Sequence, residues 1–387
     1  MATGIAPFDK ISDVDVVLTI LKPRPVIGLG NLLILNELAA PQTTPTSSAD
    51  STADSSETQP ATNAPSGATK VAGLLLDKTD PVSGAVYREY SNAEAVLDDY
   101  ADDYENPVYV KAASYFAQAN PSDRVAVLSY PQGKLQDALK AFWYNNWTFA
   151  VTTSKNADDI QLASNIFEVN KDHFLLIQSN DLSDFEKLIG QDYTIAIKHR
   201  DDEAMDAALV GSTASLTVGS VTWKFRELQG ITPDELTAGE LSQINNAHAI
   251  AYIEVNGGSQ TTEGWTLSGE YIDSLHGDIW VKVNIQAELQ TMLQTYDKIP
   301  YDSKGINLVS SHVTSVLQRA YEQGIILEDE ATSKGDYSVT ATPRSAQPQA
   351  DLSKRHYGGV SFTYHRSGAI HTVKVAGTIQ SDTLTNN

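Results

Sequence analysis

Apolar and polar residues alternate near both ends of the chain. Between residues 13 and 20 every even-numbered position is apolar, namely Val14, Val16, Leu18 and Ile20. Close to the C-terminus, one predicted face carries Val373, Val375 and Ile379, opposite the polar residues 372, 374 and 378. Period-two alternation is typical of a half-buried β-strand. We therefore predict an extended β arm at each end, over residues 1–27 and 367–387.

Short apolar segments alternate with amphipathic ones between residues 28 and 215. The apolar segments predict strands at 32–35, 87–90, 125–129, 148–152, 174–178 and 193–198. The amphipathic segments predict helices at 92–104, 108–118, 133–144, 158–169, 182–189 and 201–209. Strands that alternate with helices favour a mainly parallel sheet that is covered by helices. We predict an α/β domain over residues 28–215.

The order of the predicted elements changes after residue 215. Strands are predicted at 218–227 and 249–255, with a helix at 233–246 between them. Long helices follow at 279–296 and 304–323, and closing strands at 337–342, 359–365 and 370–379. Helices grouped in one block with strands at its ends are typical of an α+β domain. We predict such a domain over residues 216–366, with long helices and a mixed sheet.

Residues 41–70 have a composition unlike the rest of the chain. Ser, Thr, Ala and Pro dominate, and no Val, Ile, Leu, Met or aromatic residue occurs there. Such a segment buries too little apolar surface to offset the entropy of ordering it. We predict a solvated loop inserted into the α/β domain, between strand 32–35 and the return strand 87–90.

The composition argues against several classes of function. The chain has 387 residues, with 27 Lys+Arg against 49 Asp+Glu and a formal net charge of −22. Such a charge repels nucleic acids and anionic membranes, so neither is expected as a partner. The absence of Cys excludes disulfide scaffolds, thiol nucleophiles and Cys-ligated metal sites. No apolar run reaches the roughly 18–20 residues of a membrane-spanning helix, and residues 1–10 show no secretory signal.

Acidic and basic residues are segregated along the chain. Residues 94–105 contain six acids, whereas no Asp or Glu occurs between Asp351 and Asp382, where several basic residues lie. Two interpretations stay open. The acids can form a solvated helix face, or the acidic part of one copy can face the basic part of the next and favour ordered self-association. For the second interpretation the candidates are Asp98, Asp99, Asp102, Asp103, Lys354, Arg355 and Arg366.

Motifs for catalysis and cofactor binding are absent. No Walker A sequence, dinucleotide fingerprint, GxSxG elbow or HExxH helix occurs. The best candidate for a metal or acid–base site is His276-Gly277-Asp278 with Asp273, although such residues more commonly cap and charge-balance the start of a helix. His365 and His371 have no carboxylate nearby in the sequence. We therefore predict no catalytic, cofactor-binding or metal-ligating residue, and no enzymatic activity.

Several segments, taken together, resemble contractile bacteriophage tail sheath proteins. They are 264–273 (GWTLSGEYID), 276–280 (HGDIW) with the helix through residue 293, 298–301 (KIPY), 305–306 (GI), the helix 313–324, and residues 14–35 with Gly28-x-Gly30. The resemblance covers most of the chain, and the 41–70 insertion looks like an addition to it. The combination carries the resemblance, because no single residue does.

The resemblance implies a structural subunit that is assembled in the host bacterial cytoplasm and is located in the phage tail of the virion. Such subunits polymerise as stacked rings around a tail tube, and extended arms at both chain ends are expected to add strands to the sheet of a neighbouring subunit. Contraction from a metastable extended state would drive the tube through the host envelope without nucleotide hydrolysis. The implied partners are further copies of the chain, the tail tube protein, and the baseplate and tail terminator proteins.

Two other interpretations stay open. A small-molecule enzyme would place its site at the carboxyl ends of the α/β strands, where Asp201, Asp202 and Glu203 follow the predicted strand 193–198. The N-terminus of a helix explains the same acids without catalysis. A virion surface or host-binding protein would display the 41–70 insertion outward. Terminal strands on tethers favour the sheath, because a solitary enzyme has little use for them.

Overall fold

The computed structural model describes residues 29–38, 64–65 and 71–377. The predicted N-terminal arm, with Val14, Val16, Leu18 and Ile20, lies outside the described residues. Ile379 and nearly all of the 41–70 insertion lie outside them as well. The described residues thus comprise the body of the chain and the C-terminal arm as far as residue 377.

An eight-stranded sheet forms the centre of the fold. Its strands are β1 (Leu32–Leu38), β2 (Leu74–Thr79), β3 (Val86–Tyr90), β4 (Val125–Pro131), β5 (Phe149–Thr152), β6 (Phe174–Ser179), β7 (Thr194–Lys198) and β8 (Ala249–Ile250). They lie in the order β2-β3-β4-β1-β5-β6-β7-β8. All neighbours from β4 to β8 run parallel, and β3 runs antiparallel to both of its neighbours. The predicted parallel sheet is thus the larger part of a mixed sheet.

The central strands are apolar along much of their length because helices cover the sheet. In β1 the first five residues are buried, and in β6 the first four are. Continuous apolar runs are typical of parallel strands that are covered on both faces. The covering helices are α1 (Ala93–Asp99), α2 (Pro107–Phe116), α3 (Leu135–Phe142), α4 (Ala157–Asn170) and α5 (Met205–Gly211).

Three predicted helices differ from those in the structure, for local reasons. The helix predicted at 92–104 ends at Asp99, because Ala101 and Asp102 adopt left-handed backbone with φ of 61° and 56°. The helix predicted at 201–209 begins only at Met205, since Ala204 before it has a non-helical backbone with φ of −89° and ψ of 71°. The helix predicted at 182–189 is a 3₁₀ segment over Leu182–Leu188.

The second half of the chain, as far as residue 377, contains two long helices and three small hairpins. Its helices are α6 (Ala238–Asn246), α7 (Ile272–Thr295), α8 (Ser303–Glu322) and α9 (Gln349–Lys354), with a 3₁₀ turn at Arg344–Ala346. Its strands are β9 (Tyr252–Val255), β10 (Gly258–Thr261), β11 (Glu328–Asp329), β12 (Lys334–Gly335), β13 (Tyr337–Ala341) and β14 (Val360–Tyr364). These strands form three two-stranded antiparallel sheets. The mixed sheet predicted here is therefore wrong, since each strand pairs only with its sequence neighbour and β8 joins the main sheet.

Three further predictions need correction. Residues 218–227 form no strand, because the backbone turns at Gly219 and Phe225, where φ is 90° and 66°. The helix predicted from 233 begins at Ala238, where Thr237 and Glu240 form a capping box. The long helix predicted from 279 begins earlier, at Ile272, and continues through Gly277, which lies against the side chain of Ile325.

The long helices α7 and α8 pack against each other and carry the C-terminal hairpin. His312 and Arg319 on α8 both donate hydrogen bonds to Glu288 on α7. The turn before α8 requires Gly305, because a Cβ there would lie 1.9 Å from the carbonyl oxygen of Pro300. Strand β13 packs on α8, so the hairpin is fixed to the helix pair.

Candidate functional site

The hairpin of β13 and β14 has one apolar and one polar face. Along both strands, half-buried residues alternate with exposed ones. The half-buried face consists of Tyr337, Val339, Ala341, Val360, Phe362 and Tyr364. The exposed face consists of Ser338, Thr340, Ser361 and Thr363. The apolar face packs toward α8, where Tyr337 donates a hydrogen bond of 2.9 Å to Gln318.

This hairpin is an incomplete sheet. Within the described ranges, no third strand pairs with β13 or β14. A two-stranded hairpin is marginally stable by itself, and an unpaired edge is a template for another strand. None of the residues on the apolar face is fully buried. The hairpin therefore offers both the edges and the apolar surface that an added strand requires.

The C-terminal segment has the sequence of a strand but pairs with no described strand. Residues 370–377 form no strand, so the strand predicted at 370–379 is not present in the isolated chain over these residues. Ile370, Val373 and Val375 are 80%, 79% and 86% exposed, respectively. Branched apolar side chains are rarely left this exposed on a free surface. The segment has the sequence of a strand, and no edge among the described strands pairs with it.

One of the four acidic residues predicted for the interface is buried. Asp98, Asp102 and Asp103 are exposed at the end of α1, whereas Asp99 is fully buried. The Asp99 carboxylate accepts hydrogen bonds of 2.8 and 2.6 Å from Nη1 of Arg88, and a third from the Tyr90 hydroxyl. Asp99 is therefore a core residue. Helical spacing could have indicated this, because Asp99 lies four and three residues after the buried Ala95 and Val96.

The three predicted basic candidates differ in whether they form ion pairs within their own chain. Lys354 and Arg355 are exposed at the end of α9, and neither forms an ion pair with a described residue. Arg366 instead pairs with its own chain, since its guanidinium contacts Asp278 on α7 and Glu270. Burial opposes the charge of Arg366, but these carboxylates outweigh that effect and raise its pKa. Arg366 fixes the end of β14 to α7 and is not free for a neighbour.

The structure separates the residues of the best metal or acid–base candidate. The His276 ring is buried and its Nε2 lies 2.6 Å from the carbonyl oxygen of Leu29. Asp278 accepts hydrogen bonds from Tyr364 and Arg366, on the side of the C-terminal hairpin. Burial raises the pKa of Asp273. No group of three metal-ligating side chains occurs in the described part of the chain.

Glu203, one of the three acids of the enzyme interpretation, has a structural role. Glu203 lies 3.0 Å from Nε2 of the buried His199, and Asp234 lies 3.1 Å from its Nδ1. Burial disfavours the imidazolium, but the hydrogen bonds to both carboxylates outweigh it and raise the pKa of His199. Glu203 also accepts hydrogen bonds from the backbone and hydroxyl of Thr232. These contacts join the end of β7 to the loop before α6.

Two histidines acquire carboxylate partners that the sequence does not place near them. His365 Nδ1 lies 2.6 Å from Asp336, beside the base of the C-terminal hairpin. His371 Nδ1 lies 3.3 Å from Glu263. Both partners are distant in sequence, so only the fold could have identified them.

Of the helices in the ranges that the structure describes, none is both long and apolar enough to cross a bilayer.

A family model matches the part of the chain that contains these features. Residues 272–379 match the model described as "E217 tail sheath protein gp31-like, C-terminal domain". This range begins with α7 and includes α8, the β13–β14 hairpin and the start of the C-terminal arm. No curated protein matches the sequence.

Solved structures extend the similarity to the whole fold. A chain of the anti-feeding prophage (AFP) baseplate has a TM-score of 0.62 at 13% identity, with 96% of this chain and 100% of that one covered. The contracted AFP helical sheath has a TM-score of 0.59 at 11% identity, with 99% of each chain covered. The sheath tail protein Lin1278 of Listeria innocua has a TM-score of 0.54 at 8% identity, with 89% of this chain and 96% of that one covered. The resemblance to contractile sheath proteins is thus confirmed, by the family model for residues 272–379 and by shared fold for the remainder.

Proposed function

We propose that this chain is the structural subunit of a contractile sheath, in a bacteriophage tail or a related contractile injection system. The observation that carries the proposal is the complementarity of two parts of the chain. No described strand pairs with either outer edge of the β13–β14 hairpin, and residues 370–377 carry exposed apolar side chains without pairing to a described strand. Both lie within the residues that match the sheath domain model.

An added strand would extend both the apolar face and the polar face of the hairpin. Val373 and Val375 would extend the apolar face beside Val339 and Phe362, and Lys374 would lie on the polar face in solvent. Main-chain hydrogen bonds would supply the affinity, and the alternate side chains would fix the register. Because Ile370 and residues 372–377 stay exposed in their own chain, we infer that the acceptor is the hairpin of a second copy. The N-terminal strand predicted from Val14 to Ile20 would serve as the second donor.

Strand exchange would join the subunits into stacked rings around a tail tube. A strand on a tether can remain paired while the bodies that it links rotate and pack more closely. We propose that the extended state is metastable and that contraction buries more surface between subunits. The difference in free energy between these two packings would drive the tube through the host envelope. This mechanism needs no nucleotide hydrolysis and no enzymatic step in the chain.

The proposal also names partners and a location. The subunit would bind further copies of itself, the tail tube protein, and the baseplate and tail terminator proteins. It would be assembled in the cytoplasm of the host bacterium and act in the virion or the injection particle. The similarity to a chain of the AFP baseplate supports an association with baseplate components.

Electron microscopy of the purified protein tests the proposal directly. The full chain is expected to form tubes or stacks of rings. Deletion of residues 1–22 should leave a folded, soluble monomer that no longer polymerises, because one of the two donor strands is lost. A matched control deletes residues 42–63, an equal length from the low-complexity insertion, and should still polymerise. Regular sheaths from the first deletion would contradict strand exchange, and solitary full-length particles would favour the virion surface or host-binding interpretation.

Charge complementarity between copies is a separate part of the proposal. Asp98, Asp102 and Asp103 face solvent on the α/β body, and Lys354 and Arg355 do so near the C-terminal hairpin. We expect Lys354→Glu with Arg355→Glu to slow assembly or contraction, more strongly at low than at high salt, because exposed charges are screened. Turbidity across a salt series measures this effect. Wild-type assembly at low salt would remove these two residues from the interface.

A further inference from the structure

The root of the C-terminal arm is held to its own subunit at two points. The first is Ser367, whose amide donates a 2.9 Å hydrogen bond to the carbonyl of Ile325, directly after the bridge between Ile326 and Arg366. The second is His371, whose side chain is only 10% exposed. By contrast, the neighbouring Ile370 is 80% exposed. One side chain of the arm is therefore inserted into the body, while those around it stay in solvent.

The pocket around His371 consists of four side chains from two loops. The hydroxyl of Thr222 lies 2.8 Å from Nε2, and a carboxylate oxygen of Glu263 lies 3.3 Å from Nδ1. The second contact is not aligned as a hydrogen bond. Tyr271 and Phe225 meet the ring nearly edge-on, with centroids 4.9 and 6.2 Å away. We call this set of contacts the His371 clasp.

The receiving side of the clasp is itself fixed. The ammonium of Lys224 donates to Glu263 at 2.5 Å and lies 5.2 Å from the centre of the Phe225 ring. Phe225 has a φ of 66°, a left-handed conformation that a bulky residue rarely adopts. Its amide donates to the carbonyl of Thr261, which holds this turn in place. Strained backbone persists only where the surroundings enforce it, and these contacts hold the receiving side in place.

Between its two attachment points the root borders open space. Residues 367–369 line a cavity of about 290 Å³, together with Gly219, Arg226 and the first turn of α7. This part of the root therefore has little packing of its own. Without the His371 clasp, the first firm attachment would be Ser367, and residues 368–371 would move with the arm.

We propose that His371 is a positioning residue for strand exchange, which fixes the donor strand so that it starts at Thr372. This inference rests on the proposed function. A donor strand with a fixed root has fewer conformations to lose when it pairs, and its free end explores a smaller volume around the acceptor. Val373 comes directly after Thr372 and is the first side chain proposed to contact the apolar face of the acceptor. The clasp therefore also limits the positions that this side chain can reach.

His371→Ala in the full chain tests the proposal in two measurements. Hydrogen exchange of the unassembled protein should become roughly tenfold faster at amides 370–372, because a local contact is lost while the global fold remains. The critical concentration for assembly should rise by about tenfold, because more of the arm must be ordered on pairing. Thr222→Val removes the same hydrogen bond from the body side and should move both readouts in the same direction. His356→Ala, at an exposed histidine outside the clasp, is the matched control.

The two measurements test two parts of the inference. Unchanged hydrogen exchange in both clasp variants would show that the clasp does not hold the root, and would overturn the inference. Faster hydrogen exchange with an unchanged critical concentration would show that the clasp holds the root but does not affect strand pairing. This result would overturn the positioning role alone. A variant that lacks residues 372–387, measured in parallel, separates the two levels. If it assembled normally, the part of the proposed function that assigns strand exchange to the C-terminal arm would fail, whatever the hydrogen exchange data showed.

Discussion

Asp99→Asn is expected to lower the free energy of unfolding by about 3 kcal/mol, the lower end of the range for breaking a buried ion pair. The substitution keeps the shape of the side chain and removes its charge. Arg88 is buried, and the lost carboxylate is the closer of its two acidic partners. The remaining partner, Asp77, is about one-third exposed and pairs at 3.1 Å. The substitution would therefore leave a buried guanidinium only partly compensated.

The surrounding groups show how strongly this site depends on the carboxylate. Burial alone would lower the pKa of Arg88, but hydrogen bonds to Asp99 and Asp77 raise it above its ordinary value. Burial, with the nearby Tyr100 and Asp99, raises the pKa of Tyr90, so its hydroxyl stays a donor to Asp99. Loss of the charge would weaken the contacts of both residues together.

Urea denaturation, followed by tryptophan fluorescence, measures the effect on stability. Asp98→Asn is the matched control, since it makes the same chemical change one residue earlier at an exposed position. It should shift the free energy of unfolding by no more than about 0.5 kcal/mol. Equal and small effects of the two variants would mean that Asp99 is not a core residue. It would then return to the candidate interface.

Sequence patterns predicted the main sheet because its strands are buried on both faces. The apolar run of β1 is continuous, and its neighbours β4 and β5 are of the same kind. Edge strands lack this signal. In β2 only two residues are half-buried and the others are exposed, so its composition resembles a loop. Strand β8 has only two residues, which is too short for any periodic pattern.

Turn chemistry could have predicted one hairpin that hydrophobic periodicity did not. Asn256 and Gly257 connect β9 to β10 with φ of 53° and 81°, the backbone of a type I′ turn. An Asn-Gly pair between two short segments is the strongest local signal for such a hairpin. The strand predicted at 249–255 was instead divided, because Ala249–Ile250 pairs with β7 and Tyr252–Val255 with β10.

A glycine pattern can have a packing cause that has nothing to do with a ligand. Gly30, the second glycine of Gly28-x-Gly30, lies against the backbone of Ala214. A Cβ at this position would lie 1.9 Å from the Ala214 carbonyl oxygen, so only glycine fits. The contact joins residues far apart in the sequence. The sequence alone could show that the glycine was unusual but not which segment approaches it.

The candidate site was predictable in part, for the same reason. Alternation predicts Val373 and Val375 as one face of a strand, because the pattern is local. The proposed acceptor could not be predicted, since it depends on β13 and β14 packing on α8 without a third strand among the described residues. The clasp of His371 could not be predicted either, because only the fold brings Thr222 and Glu263 to it. Local patterns thus indicate the proposed donor, whereas the proposed acceptor depends on long-range packing.

Val373→Asp with Val375→Asp is expected to abolish assembly and leave the fold intact. In the isolated chain these side chains are 79% and 86% exposed, so the new carboxylates cost little in the monomer. On a neighbour's hairpin they would enter the apolar face beside Val339 and Phe362. An unpaired carboxylate costs several kcal/mol to desolvate, and about 1.4 kcal/mol corresponds to a tenfold change in affinity. The critical concentration should therefore rise at least about a hundredfold.

The matched control places two aspartates on the opposite face of the same segment. Thr372→Asp with Thr378→Asp adds the same charge, but at positions predicted to face solvent in the paired strand. It should assemble within about tenfold of the wild-type critical concentration, because exposed charges contribute little. Sedimentation and electron microscopy would compare the two variants. If both pairs blocked assembly equally, charge alone would be the cause, whereas two fully assembling variants would mean that residues 372–378 are not the donor strand. Only a difference between the faces supports strand exchange, because only a paired strand distinguishes one face from the other.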